Sequence, residues 1–333
     1  MTAPGRPCEI WGQMKYESEI EGQREDSAVV ARVCWAYFKE GQTQEAIAQR
    51  LGLTRKRVIR ILNDARSSGF VQITIADPMG ACAELEARLQ TAFGLRRAVV
   101  VPAPAAGIDV RTVVGAAAGQ YVSGHLTAAA SLGITWGGTI NAAAQNIRSR
   151  RGQDNTVVLL CGGLARSTAI NPYDNAAMFA RALDATCYYV TAPMYADTAD
   201  LRKLLMASDP VREVLQKTRR LDMALLSAVD LSRESHALAY GVISRDTWRS
   251  LRTAGAVGDI CGHYLDVEGA AVDHPLTHRT INPPLADLQA VKELVLAAGG
   301  AHKAPIIHGA IRAKLCHVLI TDETAATAVL ARS

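Results

Sequence analysis

Beyond residue 78, the hydrophobic positions of the chain form short continuous runs that are separated by amphipathic stretches. The seven runs are "RRAVVVPA", "SLGITW", "NTVVLLCGG", "CYYVTAP", "MALLSAV", "ELVLAAGG" and "HVLITDE". Helical periodicity lies between most of them, at approximately residues 109–128, 139–150, 174–184, 198–218 and 302–314. Continuous apolar strands that alternate with helices are typical of a parallel sheet covered on both faces. The pattern therefore predicts a Rossmann-like α/β domain.

The earlier residues follow a different period. Apolar side chains recur there every three or four positions, which predicts helices. One helix starts at Asp26 and ends at Gly41, a second is capped by Gln42 or Thr43, and a third is capped by Thr54. The last two form "QEAIAQRLGLTRKRVIRIL", in which a small alanine allows close helix crossing and a glycine suits a sharp turn. This spacing is typical of a helix-turn-helix, and "FVQITIAD" follows as a short strand in the position of a wing.

The third of these helices carries a run of basic side chains on its outer face. Its N-terminal end is the part that would reach base edges in a major groove, and basic groups suit both phosphates and guanine edges. An isolated run of this kind would more simply be a solvated helix face, but within a complete three-helix pattern it favours binding to double-stranded operator DNA. The candidate DNA-binding residues are Thr43, Gln44, Thr54, Arg55, Lys56, Arg57 and Arg60.

These patterns divide the 333 residues into three segments. Residues 1–25 are polar and contain no apolar signal segment, so we expect a flexible leader. Residues 26–78 would form an all-α helix-turn-helix domain, and residues 79–333 an α/β domain for effector binding and oligomerisation. A chain of this length is more than one ordinary core accommodates, which agrees with two domains.

Composition narrows the class of protein further. Hydrophobic residues make up 49% of the chain and charged residues 20%, as in a soluble globular protein. The seven cysteines are widely spaced without a C-x-x-C pair, which favours a reduced cytoplasm and argues against a disulfide scaffold or a zinc site. No apolar run approaches the ~18 residues that a membrane span needs. The formal net charge of +4 is too small to indicate a nucleic-acid partner by itself.

Three glycine-containing turns follow apolar runs of the α/β domain. The first, Trp136–Thr139, precedes a helical segment whose free amides and dipole could hold a phosphate or hydroxyl; a tight turn capped by its threonine is the alternative. The second contains Gly162 and Gly163. The third places Lys303 in the first turn of a helix, where a cation is unfavourable unless an anion or polar ligand offsets it, or unless the side chain is exposed. None of them matches a dinucleotide or Walker A pattern, so no cofactor is predicted.

Two further segments carry candidate chemistry. In "GAVGDICGHYLDVEG", Asp259 and His263 would share one face if the segment were helical. Such a pair can act in acid/base catalysis, in metal binding or as hydrogen-bonded structure; because no third ligand follows at a recognised spacing, no metal is predicted. The polar loop 168–175 contains Asn171, and it either closes over a ligand or caps the next helix.

Taken together, the chain resembles the SorC family of bacterial transcriptional regulators, also described as DeoR-like sugar-binding regulators. The resemblance covers essentially residues 27–333 and is carried by the helix-turn-helix block, "GITWGGTI", "LRTAGAVGDICGHYLDVEG", "AAGGAHKAPIIHGAI" and "HVLITDETAA". Regulators of polyol and erythritol catabolism look most similar, with support from "INPYDN" and "TAPMYAD". The resemblance implies a sheet similar to those of ribose-phosphate isomerases and glucosamine-phosphate deaminases, a homotetramer, and a sugar, polyol or phosphorylated effector that is bound without turnover.

The resemblance also implies an effector site. Its residues would be Trp136, Gly137, Gly138, Thr139, Gly162, Gly163, Asn171, Asp259, His263 and Lys303. The first Gly-Gly-Thr would hold phosphate or hydroxyl groups, Asp259 would accept hydrogen bonds from hydroxyls, and Lys303 would bind an anionic or polar end. Members that sense sugar phosphates can carry a basic residue before the second Gly-Gly; this chain has Cys161 there, so a neutral effector stays open.

Two other functions are compatible with parts of the pattern. The first is a sugar-phosphate isomerase or deaminase in which Asp259, His263 and Lys303 are the catalysts, which would require a base within hydrogen-bond reach of the substrate. An enzyme of that kind has no need of a DNA-reading module, so we predict a protein that is not an enzyme. The second is a DNA-binding protein that responds to no ligand.

Overall fold

The computed structural model describes residues 27–67, 70–71, 78–148, 152–165 and 170–333. The chain divides into two compact units between Ala76 and Asp77. The predicted leader and most of the predicted wing strand lie outside the described residues.

The described part of the N-terminal unit contains three helices. They are α1, over residues 27–38, α2 (Gln44–Leu51) and α3 (Arg55–Ser67). The side chain of Thr43 accepts a hydrogen bond from the Ala46 amide and starts α2, and Thr54 does the same for α3 through the Arg57 amide. Gly52 has a φ of 64°, a left-handed conformation that ends α2 and turns the chain sharply into α3. These caps and the turn agree with the sequence prediction.

The second unit is built on seven parallel strands. In spatial order they are β1 (Arg97–Val101), β9 (Val318–Asp322), β8 (Glu293–Ala297), β5 (Met223–Asp230), β2 (Ser131–Ile134), β3 (Thr156–Leu159) and β4 (Thr186–Tyr188). Each of the seven apolar runs seen in the sequence contains one of these strands to within one residue. Consecutive side chains of a strand point to opposite faces of the sheet. Leu225 and Leu226 of β5 belong to two different apolar clusters, so both faces of the sheet are covered.

Helices connect the strands. The longer ones are α4 (Pro78–Phe93), α5 (Val110–His125), α6 (Gly138–Gln145), α7 (Pro172–Leu183), α8 (Ala199–Ala207), α9 (Asp209–Gln216), α11 (Arg245–Thr253), α13 (Ala304–Arg312) and α14 (Glu323–Leu330). The short ones are α10 (His236–Ala239) and α12 (Leu285–Gln289), with 3-10 turns at Lys217–Arg220, Thr277–Arg279 and Ala301–Lys303. The predicted helix over 198–218 is divided into α8 and α9: Ser208 is extended, and Pro210, two residues later, has no backbone N–H with which to continue α8. Among the described helices, none is long and apolar enough to cross a membrane.

The segment that contains Asp259 is a β-hairpin and not a helix. Strand β6 (Gly258–Ile260) runs antiparallel to the end of β5, and β7 (His263–Leu265) runs antiparallel to β6. The two residues between them, Cys261 and Gly262, have φ angles of 53° and 80°. Two successive positive φ angles define the tight turn that favours a two-residue hairpin, so the local backbone excludes the helical alternative.

Helices α5 and α6 cross with almost no space between them. A Cβ atom on Gly115 would lie 2.5 Å from the Cβ of Ala142 and 2.8 Å from the carbonyl oxygen of Thr139, and one on Gly119 would lie 2.5 Å from the Ala143 oxygen. Glycine is therefore required at both positions for α6 to keep its place. This crossing fixes the N-terminus of α6 against the first turn of α5.

We predict that Gly115→Ala destabilises the protein by about 1–3 kcal/mol, because the added methyl group must push α6 away. Gly124 lies in the same helix with nothing within 4 Å of a Cβ placed there, and its φ is ordinary. Gly124→Ala is therefore the matched control, and it should stabilise by about 0.5–1 kcal/mol. Urea unfolding of both variants tests this, and equal stability of the two would contradict the tight crossing.

Candidate functional site

A crevice lies at the carboxyl ends of the central strands. After β2 the chain continues to β3 on one side of the sheet, whereas after β5 it leads to β8 on the other. Such a change of direction leaves an opening between neighbouring strands, and open α/β sheets bind their ligands there. The lining residues are Arg111, Trp136, Gly137, Gly138, Thr139, Ile170, Ser227, Ala228, Val229, Asp230, His236, Ala237 and Lys303. Trp136–Thr139 and Lys303, which the sequence analysis assigned to one site, therefore line the same crevice.

The Gly-Gly-Thr turn forms one wall of the crevice. Gly137 has a φ of 116° and precedes α6, whose start has no side-chain cap. Thr139 is buried within the first turn, so the predicted cap by this threonine is wrong. The hydroxyl of Ser227 donates to the Trp136 carbonyl and ties the turn to β5. Because no side chain caps the start of α6, its first amides lack an intrahelical partner beside the crevice.

Arg111 covers this turn from α5, and the sequence analysis did not single it out. A Cβ atom on Gly138 would lie 2.9 Å from one of its guanidinium nitrogens. Asp109 caps α5 and forms an ion pair with Arg111. Hydrogen bonding to Arg111 lowers the pKa of the Asp109 carboxyl, so this pair stays ionised at neutral pH.

Lys303 also lines the crevice, and it is only 8% exposed. Its Nζ atom donates to the carbonyl oxygen of Ala228 at 2.9 Å. Burial lowers the pKa of this ammonium group, and Asp230 opposes the shift in part. The alternative of an exposed lysine is therefore wrong. Lys303 ends a 3-10 turn and precedes α13, so its predicted place in the first turn of the helix is off by one position.

Two further titratable side chains line the crevice. Asp230 is 2% exposed and accepts a hydrogen bond from the Ser232 amide. The pKa of His236 is lowered, first by burial and then by the positive charges of Arg111 and Lys303. His236 is therefore neutral at pH 7 and adds no third cation. Among the residues that the structure describes, the charged lining consists of Arg111, Lys303 and Asp230, with Asp109 paired to Arg111.

Five of the predicted effector residues do not line the crevice, and three of them lie in the second Gly-Gly turn and the loop after it. The amides of Gly162 and Gly163 donate to the carbonyls of Ile281 and Ala192, so neither is free to cradle a phosphate. A side chain at either glycine would collide with Pro193 or the ring of Tyr173, which explains why glycine is needed there. Asn171 caps α7 and donates to the Leu164 carbonyl, which bears out the capping alternative for this loop.

Asp259 is buried beside this region without a hydrogen-bond partner for either carboxylate oxygen among the described residues. Burial raises its pKa to about 7, and the nearby Gly262 amide lowers it only in part. The register places Asp259 opposite Val229 on one side and Tyr264 on the other. Val229 lines the crevice, so the hairpin backbone is continuous with the crevice wall although the carboxyl group itself is enclosed.

His263 lies on the other face of the hairpin, because its register partner is Ile260. Its Nε2 atom lies 3.0 Å from the Pro283 carbonyl oxygen, and burial lowers its pKa to about 4. It lines a separate surface cavity of about 330 Å³. The hypothesis of an Asp259–His263 pair on one helix face is therefore wrong. Among the described residues, no group of three His, Cys, Asp or Glu side chains could hold a metal ion.

Comparison with known proteins identifies the family. The "Sugar-bind" family, described as "Putative sugar-binding domain", matches residues 77–331. The transcriptional regulator LsrR of Klebsiella pneumoniae is 33% identical over 312 residues, which is 92% of this chain and 94% of the relative. The chain belongs to the SorC family of sugar-binding transcriptional regulators.

Other relatives of this SorC-family chain agree with that family. The erythritol catabolism regulatory protein EryD of Brucella abortus is 28% identical over 307 residues, 92% of this chain and 97% of the relative. The crystal structure of the full-length sorbitol operon regulator SorC from Klebsiella pneumoniae has a TM-score of 0.70 at 23% identity, covering 92% of this chain and 99% of that one. These relatives are named regulators and not enzymes. Similarity to EryD does not exceed similarity to LsrR, so the predicted closeness to polyol regulators stays a prediction.

Asp259 gives this SorC-family chain a testable pH dependence. The carboxyl pKa is 3.8 in the unfolded chain and about 7 when folded, so folding favours the protonated form. Its contribution to stability is complete below pH 4 and is lost as the pH rises to about 7. Asp259→Asn should therefore be more stable than the wild type at pH 8, by up to about 4 kcal/mol, and the gain should vanish near pH 4.

Urea unfolding at several pH values between 4 and 8 measures this difference. Asp200→Asn is the matched control, because Asp200 is an exposed carboxylate on α8 and its replacement should leave the pH profile unchanged. A stability gain for Asp259→Asn that is the same at all pH values would show that the carboxyl group ionises normally in the folded protein.

Proposed function

We propose that this SorC-family regulator binds a small carbohydrate with an anionic group, such as a phosphate, in the crevice between β2, β5 and β8, and that binding changes its affinity for operator DNA. The observation that carries the proposal is the buried Lys303, which shares the crevice with Arg111 at the uncapped start of α6. A buried ammonium group is costly unless a charge or hydrogen-bond acceptor offsets it.

The partners of Lys303 leave room for a ligand. Its ammonium group has three donor hydrogens, and one is used by the Ala228 carbonyl. Asp230 is the neighbouring carboxylate. Its negative charge raises the pKa of Lys303, but by less than burial lowers it. A phosphate between Lys303, Arg111 and the first amides of α6 would receive donors from three directions, as anions do at helix N-termini.

This arrangement favours an anionic effector over a neutral one. The argument against a phosphate came from Cys161, which replaces a basic residue found in some relatives. Cys161 is buried, burial raises the pKa of its thiol, and it does not line the crevice described here. Arg111 supplies a basic group over the Gly-Gly-Thr turn from a different element. The carbohydrate part would extend from the phosphate towards β5 and its pairing partner β6. On β6 the carboxyl group of Asp259 has no hydrogen-bond partner among the described residues, and a carbohydrate hydroxyl would supply one.

The crevice must open before a carbohydrate enters. Its volume is about 30 Å³, which is the space of a single water molecule. Helix α10 contributes His236 and Ala237 to the closed side, and it is a four-residue helix with little buried surface. We place the effector-dependent movement in this segment. A ligand that binds the open arrangement more tightly shifts the equilibrium towards it, and by linkage alters DNA affinity.

The N-terminal unit would bind the operator. Helices α2 and α3 with their turn have the helix-turn-helix order, and Arg55, Lys56, Arg57 and Arg60 are exposed along α3. Thr43 and Thr54 use their hydroxyl groups as helix caps at the two helix starts, beside Gln44. Assembly through the larger unit, as a tetramer in the cytoplasm, would present paired α3 helices to repeated half-sites.

The enzyme alternative has less support. Asp259 and His263 lie on opposite faces of the hairpin, and His263 is held by a backbone carbonyl. With Lys303 they do not form a constellation around one substrate position. Incubation with ribose phosphate or an aminosugar phosphate tests turnover directly, and conversion would overturn the sensor function. A DNA-binding protein without a ligand would show no thermal shift with any sugar, polyol or phosphate.

We predict that Lys303→Met weakens the binding of a phosphorylated effector by about tenfold to a hundredfold, since one charge-assisted hydrogen bond is lost. Methionine keeps the length of the side chain and removes the charge, so operator binding should remain. The measurement is a thermal-shift titration with pairs of polyols and sugars and their phosphates, because a bound ligand raises stability by mass action.

Lys203→Met serves as the matched control, because Lys203 is an exposed lysine on α8 outside the crevice. It should leave every ligand-dependent shift unchanged. A preference for neutral polyols over their phosphates in the wild type would contradict the anionic effector and leave the crevice as a neutral carbohydrate site. Loss of DNA binding in Lys303→Met with intact ligand affinity would contradict the site assignment.

A second prediction concerns the operator. Arg55→Ala and Arg57→Ala should each weaken DNA binding and reduce the slope of log K against log salt by about one, because each removes a contact to phosphate or a base edge. The effector-induced thermal shift should persist in both. Arg88→Ala removes an exposed arginine from α4 and is the control for charge alone. Unchanged operator affinity in all three variants would show that α3 is a solvated face.

A further inference from the structure

Helix α3 has an exposed apolar side chain within its basic face. Ile59 is 36% exposed, whereas Val58 and Leu62 are buried in the core of the N-terminal unit. Ile59 is absent from that apolar cluster, both among its buried members and among the half-buried residues packed on it. Within the described part of the unit, about a third of Ile59 therefore stays accessible among the exposed basic side chains of α3, where a binding partner can reach it.

The position of Ile59 on the helix is specific. Residues 55, 59 and 63 are four apart and form one ridge of the helix surface, which flanks the buried stripe of Val58 and Leu62. The rise from residue 55 to residue 59 is about 6 Å, close to two base-pair steps of about 3.4 Å. If Arg55 reaches a base edge, Ile59 reaches the groove floor one or two base pairs further along.

We infer that Ile59 is a specificity-determining residue that contacts the C5-methyl group of a thymine in the operator. Thymine is the base that presents a methyl group in the major groove, and apolar side chains recognise it there. The inference rests on the proposed DNA binding of α3 and adds a base preference to it.

The surroundings of Ile59 favour DNA over a protein partner. Arg55, Lys56 and Arg60 flank it, and all three are exposed. A second protein surface that covered Ile59 would have to bury or pair three cations, which is costly without matching carboxylates. The phosphates on both sides of a major groove neutralise the same cations while the apolar side chain faces the bases. A DNA major groove therefore pairs the cations with phosphates and gives Ile59 an apolar contact at the same time.

The experiment uses the full chain and a duplex selected by it from a random library. Each thymine of the selected duplex, together with its symmetry-related copy, is then replaced by uracil, which removes only the methyl group. Fluorescence anisotropy at fixed salt gives the affinity of each duplex. We expect one thymine pair at which uracil weakens binding by the wild type about threefold to tenfold, and Ile59→Ala to bind the thymine and uracil duplexes equally.

Trp35→Ala is the matched control, because Trp35 is an exposed apolar side chain on α1, 60% accessible. It should keep the thymine-to-uracil ratio of the wild type even if overall affinity changes. Equal affinity of the wild type for all uracil duplexes, or an unchanged ratio in Ile59→Ala, would overturn the assignment of Ile59 while DNA binding stands. If no duplex is selected and none is retained at low salt, DNA binding by α3 fails, and this inference fails with it.

Discussion

The close crossing of α5 and α6 is the constraint on which the crevice depends. Gly115 and Gly119 let the two helices approach until backbone meets backbone. The same approach places Arg111, in the first turn of α5, directly over Gly138 at the start of α6. A wider separation would move the guanidinium group away from the amides that it covers. A packing requirement between the two helices thereby sets the spacing of the two groups that would bind the proposed anion.

The sheet and much of the crevice were predictable because their signals are local. Each parallel strand is a continuous apolar run, and the carboxyl ends of such strands gather at one edge, which brought Trp136 and Lys303 to the same place. Asp230 could have been found by the same rule, since it directly follows the run "MALLSAV" and ends strand β5. Arg111 could not have been found in this way, because its position over Gly138 depends on how closely α5 and α6 cross. The spacing of residues along the sequence does not predict that distance.

The prediction for Asp259 and His263 failed for a related reason. The two residues are four positions apart, a spacing that suits one face of a helix, and the same spacing suits the two opposite faces of a hairpin. The decision lies in the backbone of Cys261 and Gly262, where two positive φ angles close a two-residue turn. Glycine at the second position was a visible signal for such a turn, whereas cysteine at the first position is unusual in this conformation and gave none.

Lys303 and Asp259 together explain why a sensor fits this fold better than a protein without a ligand. Each is an ionisable group taken out of water without a full set of partners, and each has a pKa shifted towards its neutral form by burial. Apolar side chains of similar size would make the folded domain more stable at both positions. A chain that used this domain only as a scaffold would gain from such replacements. A buried donor, Lys303, and a buried acceptor, Asp259, are instead expected where a polar ligand forms hydrogen bonds with both. The stability that the two groups cost in the empty protein is then recovered as affinity for the ligand.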